Sequence, residues 1–370
     1  MHIAKIEAIA VSLPMIKPVI MAGEEVRRAD NVLLRIESDN GAVGWGEAAS
    51  APTMTGETSA GMIAAIQYLA PALQGRAAQD IAGALAAMDG RMYGNHGAKA
   101  TVEIALHDLV GRATQAPVHA LLGEKRRSRA AILAVIGGGD RAGDLLDATK
   151  KKAEGFTAFK IKVGVDEPAR DAERTRQICA ILGPDALISA DANQGFSPDE
   201  AVAYVRAVAG CGLDFFEQPV RADDLAGMAA VAAASAIAVG ADEGIHALDD
   251  IRRHHEGKAA RGVSLKAIKL GGLRAVVEAA RLCDRFGMQV NVSCKTGESS
   301  VACAAALHIA AVIPDIAWGL TLTHAGLRED VTPHPIRIDR GQAEVLDRPG
   351  LGIAVDEDLV RRHRVAAPSP

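Results

Sequence analysis

The sequence has few aromatic residues, which make up only 3% of its 370 positions. It also has no excess of basic residues, because 41 Lys and Arg stand against 46 Asp and Glu and give a formal net charge of −5. Nucleic acids and anionic membranes are bound by clustered basic surfaces, which a slightly acidic balance does not favour. We therefore expect neither a nucleic acid nor a membrane surface as a partner.

Long apolar runs and paired cysteines are missing as well. The longest apolar candidate, Met228–Gly240, is shorter than the roughly 18 to 20 residues that cross a bilayer. The opening MHIAKIEAIAVSLP has no basic segment followed by an apolar core and a cleavage site, so it does not read as a signal peptide. The cysteines are scattered without a CxxC pair (Cys179, Cys211, Cys283, Cys294, Cys303). These absences predict a cytoplasmic protein without a disulfide framework or a structural zinc site.

Two different patterns of apolar and polar residues divide the chain. Residues 1–124 contain alternating strand patterns in His2–Leu13 and Asn31–Ser38, followed by helical patterns (Ala60–Leu69, Ile81–Met88, Ala98–Thr114). Residues 125–332 instead repeat a short apolar run and an amphipathic helix about eight times. This repetition predicts a closed parallel βα barrel that follows an N-terminal α+β domain. The segment 333–370 is expected to return to the first domain.

Three acidic residues each end an apolar run: Asp191 in SADAN, Glu217 in FEQP and Asp242 in GADE. The carboxyl ends of barrel strands form the active-site face, so the three carboxylates should converge there. They would repel one another without a divalent cation, and carboxylate oxygens are typical ligands of Mg²⁺. The pattern therefore predicts a Mg²⁺ site, with Asn193 and Glu243 as supporting residues.

Lysines flank these acids on neighbouring predicted strands. Lys160 and Lys162 are two residues apart in FKIKVG, so both side chains should face the barrel interior. Lys266 ends a similar run in SLKAIKLGG, whereas Lys269 is expected to point away and to be structural. Partly desolvated lysines near other cations have lowered pKa values and can act as bases. Acids and lysines together predict removal of the proton α to a substrate carboxylate, through an enediolate that the metal stabilises.

Motifs for other chemistry are weak or missing. The segment VIGGGDRA at 135–142 imitates a dinucleotide-binding fingerprint, but no acidic residue ends a strand about 20 positions later. The sequence has no phosphate-binding loop, no HxH or HExxH motif and no GxSxG elbow. The adjacent His254 and His255 are expected to be solvated.

The order of the polar motifs resembles the enolase superfamily: KxK at Lys160, DAN at Asp191, EQP at Glu217, DE at Asp242 and KxxKxGG from Lys266. Lysines on both sides of the acids are similar to the muconate-lactonizing subgroup, rather than to the mandelate-racemase branch with its His base. The resemblance extends into the first domain (WGEA at 45–48, and the segments 94–112 and 117–124). It implies a capping α+β domain over a modified (β/α)7β barrel, and the family is usually oligomeric.

The resemblance also implies roles for individual residues. Three acids would bind Mg²⁺ or Mn²⁺ (Asp191, Glu217, Asp242). Lys162 and Lys266 would be opposed acid/base groups, and Lys160 would neutralise the substrate carboxylate. Two loops of the capping domain would set specificity (Lys17–Arg28, Ala51–Thr58).

Departures from the family pattern leave the substrate open. The predicted eighth strand has Leu320 and Thr321 where muconate cycloisomerases carry a glutamate and dipeptide epimerases a DxD pair. Lys295 replaces a usually small residue and could meet a second substrate anion, while Glu298 matches an acidic position after the seventh strand. The first expectation is a lactonizing cycloisomerase. Alternatives are a racemase or epimerase of an amino-acid derivative (N-acyl amino acid, dipeptide or betaine type), an o-succinylbenzoate-synthase-like dehydratase and, least favoured, a non-catalytic binding barrel.

Overall fold

The computed structural model describes residues 1–21, 24–137 and 140–366. The chain begins with a three-stranded antiparallel sheet, formed by β1 (Ile3–Met21), β2 (Glu24–Ser38) and β3 (Val43–Ala49). Four helices follow: α1 (Ser59–Leu73), α2 (Ile81–Arg91), α3 (His96–Ala113) and α4 (Val118–Leu122). The three predicted helices are confirmed, with ends that differ by a few residues.

The first hairpin is longer than the alternating pattern predicted. β1 and β2 pair from Ile3 with Ser38 up to the hairpin end, where Val19 lies opposite Val26. The expectation that 17–28 is a loop is therefore wrong for the residues described there, because β-branched side chains favour cross-strand pairing. A register shift between Pro14 and Val19 accommodates the prolines, which cannot donate to a ladder. Residues 22 and 23 of the expected loop lie outside the described residues.

Residues 129–321 contain the predicted parallel barrel. A short strand, β4 (Arg129–Ala131), leads into it. Eight strands then follow one another in chain order around the sheet: β5 (Leu133–Ile136), β6 (Ala158–Lys162), β7 (Leu187–Asp191), β8 (Phe215–Glu217), β9 (Ala238–Ala241), β10 (Gly262–Leu265), β11 (Gln289–Ser293) and β12 (Leu320–Thr321). A parallel bridge between Ile132 and Leu320 connects the last strand to the start of the first.

Helices cover the outside of this barrel. They are α5 (Arg141–Ala153), α6 (Pro168–Leu182), α7 (Pro198–Ala207), α8 (Leu225–Ala234), α9 (Leu248–Glu256), α11 (Leu273–Phe286) and α12 (Ser300–Val312). The short helix α10 (Ala267–Leu270) is an addition that follows β10 at the carboxyl ends of the strands and packs against α3. A 3₁₀ turn at His324–Gly326, rather than an α-helix, follows β12, so the architecture is (β/α)7β. Among the helices of the described residues, none has the length and apolar character required to cross a membrane.

The end of the chain contacts both parts of the molecule. β13 (Ile338–Asp339) and β14 (Gln342–Glu344) form a small antiparallel sheet with β4, beside the barrel. The last helix, α13 (Glu357–His363), is followed by a bridge from Arg364 to Val11 of β1. The division at residues 124 and 333 stays a prediction.

A stacked pair of aromatic residues fills one end of the barrel. Trp318 stacks on Phe215 with the ring centroids 4.1 Å apart, at the end of the barrel where its strands begin. Gly240 and Gly262 leave room for this indole, since a Cβ on Gly262 would lie 2.4 Å from it. One indole therefore closes the amino-terminal end of the barrel, and the opposite end is left for polar side chains.

His254 does not behave as expected. It is buried on α9, with only 3% of its surface exposed, and its Nδ1 lies 2.8 Å from the carbonyl oxygen of Asp250. His255 is exposed and stacks on the Phe286 ring. The expectation of two solvated histidines is wrong for His254, because neighbouring helix residues point in directions about 100° apart.

Candidate active site

The three predicted acids lie at the carboxyl ends of adjacent barrel strands. Asp191 and Glu217 are the last residues of β7 and β8, and they stand opposite each other in the register of the sheet. Asp242 directly follows β9. All three side chains are buried, at 2% exposure or less. The structure thus brings the acids to one end of the barrel, as the spacing predicted.

Lys160 and Lys162 project from β6 toward two of these acids. The Nζ atom of Lys160 lies 2.6 Å from Oε2 of Glu217 and 3.6 Å from Oδ2 of Asp191. Lys162 donates to Oδ2 of Asp191 and to Oδ1 of Asn193, both at 2.7 Å. Their shared orientation follows from the two-residue period of the strand.

Lys266 and Lys269 both donate to the third acid. Lys266 binds Oδ2 of Asp242, and Lys269 binds Oδ1 at 2.6 Å and also the carbonyl oxygen of Ser264 at 2.9 Å. The expectation that Lys269 points away from the site is wrong. The short helix α10 begins directly after Lys266, and residues three apart in a helix lie on the same face.

Burial and lysine charges act in opposite directions on the acids. Burial would raise the pKa of Asp191, but the charges of Lys162 and Lys160 outweigh it and hold that pKa below its ordinary value. Burial would also raise the pKa of Asp242, but the charges of Lys266 and Lys269 outweigh burial and lower that pKa. For Glu217 burial dominates over the nearby Lys160, and the pKa is raised.

The pKa values of Lys266 and Lys160 differ from those expected from the sequence. Burial would lower the pKa of Lys266, but Asp242 and Glu243 outweigh burial and raise it. The pKa of Lys160 is raised in the same way by Glu217 and Asp191. The expectation of lowered lysine pKa values is therefore wrong for these two residues, because carboxylates rather than cations are their nearest neighbours.

Polar residues around the acids hold them in place. Ser264 donates to Oε1 of Glu217 at 3.0 Å, and Asn193 donates to Oε1 of Glu243 at 3.0 Å. Gln218 was missed by the sequence reasoning. Its Oε1 accepts from the backbone N–H of Asp242 at 2.8 Å, so the EQP segment fixes the next strand end. Its backbone φ of +34° was not readable from the sequence, although the EQP motif marked the position.

A cavity of about 440 Å³ opens above these residues. Lys295 and Thr321 line it, as expected for substrate-binding residues. The hydroxyl oxygen of Thr321 is buried and has no hydrogen-bond partner. Glu298 does not line the cavity: it is buried beneath, and its Oε2 accepts from the backbone N–H of Lys295 at 2.8 Å.

Two segments of the first sheet region cover the cavity. The hairpin contributes Met15, Val19, Val26 and Arg28, and the turn that follows β3 contributes Pro52–Met54. Ala51 and Glu57 are bridged at the base of this turn. Both segments predicted to set specificity therefore contact the same cavity as the lysines.

The donor chemistry of the acids fits a hard divalent cation. Three carboxylates on adjacent strands supply the oxygen ligands that Mg²⁺ prefers. Within the described parts of the chain, no three His, Cys, Asp or Glu side chains are arranged as a metal site. A lysine contacts each of the three carboxylates. The Oε2 atom of Glu217 is buried and lies 2.6 Å from Nζ of Lys160, so a cation would take this oxygen in place of the ammonium group. Binding therefore requires the ammonium groups to yield these oxygens.

Comparison with known proteins agrees with this architecture. Residues 5–123 match the family model "Mandelate racemase / muconate lactonizing enzyme, N-terminal domain", and residues 144–359 match "Enolase C-terminal domain-like". A chloromuconate cycloisomerase of Cupriavidus necator is 31% identical over 98% of this chain and 100% of its own length. An L-Ala-D/L-Glu epimerase of Clostridium acetobutylicum is 33% identical over 92% of this chain and 96% of its own.

Solved structures lead to the same family. The crystal structure of an N-succinyl Arg/Lys racemase from Bacillus cereus superposes with a TM-score of 0.94, at 28% identity, and covers 99% of both chains. Its fold, the two family models and the full-length relatives agree with the barrel and capping sheet described above. The chain belongs to the muconate lactonizing subgroup of the enolase superfamily, and it is an isomerase of that superfamily.

Proposed function

We propose that the enzyme transfers the proton α to the carboxylate of a small anionic substrate through an enediolate. We propose further that the reaction is a lactonizing cycloisomerisation, in which one carboxylate adds to a carbon–carbon double bond and the α-carbon of the resulting enediolate gains the proton. The observation that carries this proposal is the placement of Lys162 and Lys266 beside a buried row of three carboxylates. They belong to the second and sixth of eight barrel strands, which lie on opposite sides of a barrel. A substrate between them meets an ammonium or amine group on each face.

The charge of the cavity supports an anionic substrate. Among the side chains that the structure describes, seven basic ones line it, against three acidic ones (Lys17, Arg28, Lys151, Lys160, Lys162, Lys266 and Lys295 against Asp30, Asp191 and Glu243). A surplus of positive charge in an enclosed site attracts anions and holds them more strongly than in water. Lys160, buried at the base of the site, would neutralise the substrate carboxylate.

The metal would be held by Asp191, Glu217 and Asp242, as Mg²⁺ or Mn²⁺. When bound, it would stabilise the negative charge that develops on the substrate carboxylate during proton removal. The ammonium groups that now pair with these acids would turn toward the substrate. In lactonization the Lys162 ammonium group would donate its proton to the α-carbon, whereas in the reverse reaction or in racemisation its neutral amine would remove that proton. Lys266 would stabilise the developing charge or exchange a proton on the opposite face.

A racemase of an N-acyl amino acid is the second candidate, and the opposed lysines favour it. Exchange of a proton between two faces needs an acid/base group on each side, whereas lactonization needs one proton donor. An epimerase of unblocked dipeptides is less well supported, because β12 and the residues after it offer Leu320, Thr321 and Thr323 rather than carboxylates. A cytoplasmic location and a homo-oligomeric state stay predictions.

Two assays separate the candidates. Incubation with cis,cis-muconate and Mg²⁺ should consume the diene and remove its ultraviolet absorbance if the enzyme is a cycloisomerase. Incubation of N-acyl amino acids in D₂O should place deuterium at the α-carbon if it is a racemase, as mass spectrometry would show. Neither diene loss nor deuterium incorporation across a library of small carboxylates would contradict the proposed α-proton chemistry.

A further inference from the structure

Two buried glutamates of the N-terminal sheet and helices contact the barrel. They lie outside the row of three carboxylates formed by Asp191, Glu217 and Asp242, which is called the acid row below. Glu47 of β3 accepts from the backbone N–H groups of Ser299 and Ala302, each at 3.0 Å, and from the Ser299 hydroxyl at 2.6 Å. Glu103 of α3 accepts from the backbone N–H of Arg274 at 3.0 Å. Both glutamates are at most 1% exposed. Each carboxylate thus binds the first turn of a barrel helix.

The helices that they cap follow the two loops that carry functional lysines. α12, which Glu47 caps, begins at Ser300, five residues after Lys295. α11, which Glu103 caps, begins at Leu273, directly after the segment with Lys266 and Lys269. The first N–H groups of a helix have no partner within the helix, so a carboxylate there fixes where the helix starts. Fixing the helix start also fixes one end of the preceding loop.

The loop between β11 and α12, which carries Lys295 and is called the Lys295 loop, also contacts β2. Asn31 donates from one amide nitrogen to Oε1 of Glu47 at 2.7 Å and to the carbonyl oxygen of Gly297 at 2.8 Å. Gly297 has a φ of +89°, and a Cβ there would lie 2.5 Å from the Cβ of Ala29. The loop therefore rests directly on the first sheet, with no space for a side chain between them.

The Lys266 loop is held in a comparable way. Nδ1 of His96, at the start of α3, lies 2.6 Å from the carbonyl oxygen of Lys269. Gly272 has a φ of +147°, and its missing Cβ makes room for the carboxylate of Glu103. α3 therefore contacts this loop at two points, on either side of the turn that leads into α11.

We infer that Glu47 and Glu103 are positioning residues with separate tasks: Glu47 sets Lys295 for substrate recognition, and Glu103 sets Lys266 for proton transfer. Neither touches the cavity, so each acts through the loop it caps. The inference rests on the proposed function for the roles of Lys295 and Lys266. The two contacts themselves are independent of it.

Glu47→Gln and Glu103→Gln form a matched pair, because both remove one buried cap at the same interface. Each amide puts an N–H₂ group where the carboxylate accepts backbone N–H donors. Hydrogen–deuterium exchange of the substrate-free protein should rise in residues 295–302 for Glu47→Gln alone, and in residues 266–274 for Glu103→Gln alone. Exchange that rises equally in both segments in either variant would overturn the separate tasks, whatever the substrate is.

Kinetics on the substrate found by the assays above give the second readout. Glu47→Gln should raise KM about 10-fold or more with kcat within about twofold, and Glu103→Gln should lower kcat about 10-fold or more with KM nearly kept, because small misplacements of reacting groups are costly. A merely structural role would lower the folded fraction and kcat of both variants together, and that result would overturn the inference. If Glu47→Gln does not fold, Ser299→Ala removes the hydroxyl donor to Glu47 without changing a charge or the lining of the cavity, and the same rise in KM is expected.

The exchange data keep this inference apart from the proposed function. Segment-specific exchange with no turnover of any α-proton substrate by the wild type would leave the caps in place and refute the assigned chemistry. Turnover by the wild type without segment-specific exchange in the variants would refute the caps alone.

Discussion

Removal of the ammonium group of Lys160 tests the charge balance of the site. Its side chain is 4% exposed, and its Nζ lies 2.6 Å from a Glu217 carboxylate that is fully buried. Lys160→Met keeps a long apolar stem but leaves that carboxylate without its counter-ion. Loss of one partner from a buried pair costs about 3 to 5 kcal/mol of unfolding free energy.

The expected change in melting temperature follows from the chain length. An unfolding entropy of about 2.1 cal/mol/K per residue gives about 0.8 kcal/mol/K for the whole chain, so this loss corresponds to a Tm lower by about 4 to 6 °C. Calorimetry in EDTA measures it directly. Because a cation at the acid row would replace the missing charge, Mg²⁺ should raise the Tm of the variant more than that of the wild type.

An exposed lysine supplies the control. Lys150 lies 3.9 Å from Glu154 and its side chain is 72% exposed, so Lys150→Met should cost less than about 1 kcal/mol. If Lys160→Met and the wild type have the same Tm in EDTA, Lys160 does not balance the charge of the buried Glu217 carboxylate. Equal stabilisation of both proteins by Mg²⁺ would argue against cation binding at these carboxylates.

Three other substitutions separate the roles of the base, a metal ligand and a buried histidine. Lys162→Ala should lower kcat by about 100- to 10,000-fold while the protein still folds and still binds Mg²⁺, and retained turnover would remove Lys162 as the acid/base group. Glu217→Gln should weaken Mg²⁺ binding in calorimetry, and equal affinity would refute its assignment as a ligand. Burial lowers the pKa of His308 from 6.5 to about 4, so protons bind the unfolded chain first and stability falls as pH drops from 6.5 toward 4. In urea unfolding, wild type should lose about 3 kcal/mol relative to His308→Gln over that range, and a constant difference would contradict the buried neutral imidazole.

Strand–helix alternation and the acid row were readable from the sequence. Each barrel strand is a short apolar run, and the residue that ends it, such as Asp191 or Glu217, must lie at the active-site face of a parallel barrel. The two-residue period likewise places Lys160 and Lys162 on one face. These conclusions need only local periodicity and the topology of the fold.

The errors came from positions where local turns change direction. Lys269 was expected to point away, because extended strand geometry was assumed past Lys266. The chain instead enters one helical turn that brings Lys269 back to Asp242. Pairing of Val19 with Val26 makes a hairpin of an expected loop. Contacts with another strand, rather than local turn signals, decide the conformation there.

The fold class, the row of acids and the flanking lysines follow from the amino-acid sequence alone, because periodic patterns report which residues share a face. The pairing of each acid with a lysine, and hence the raised rather than lowered pKa of Lys266, depends on tertiary contacts. The tertiary structure also decides that Glu298 lies beneath the cavity and that Glu47 and Glu103 cap the helices behind two active-site loops. The contacts of Glu103 and Glu47 join residues that are 171 and 252 positions apart, and no local pattern encodes them.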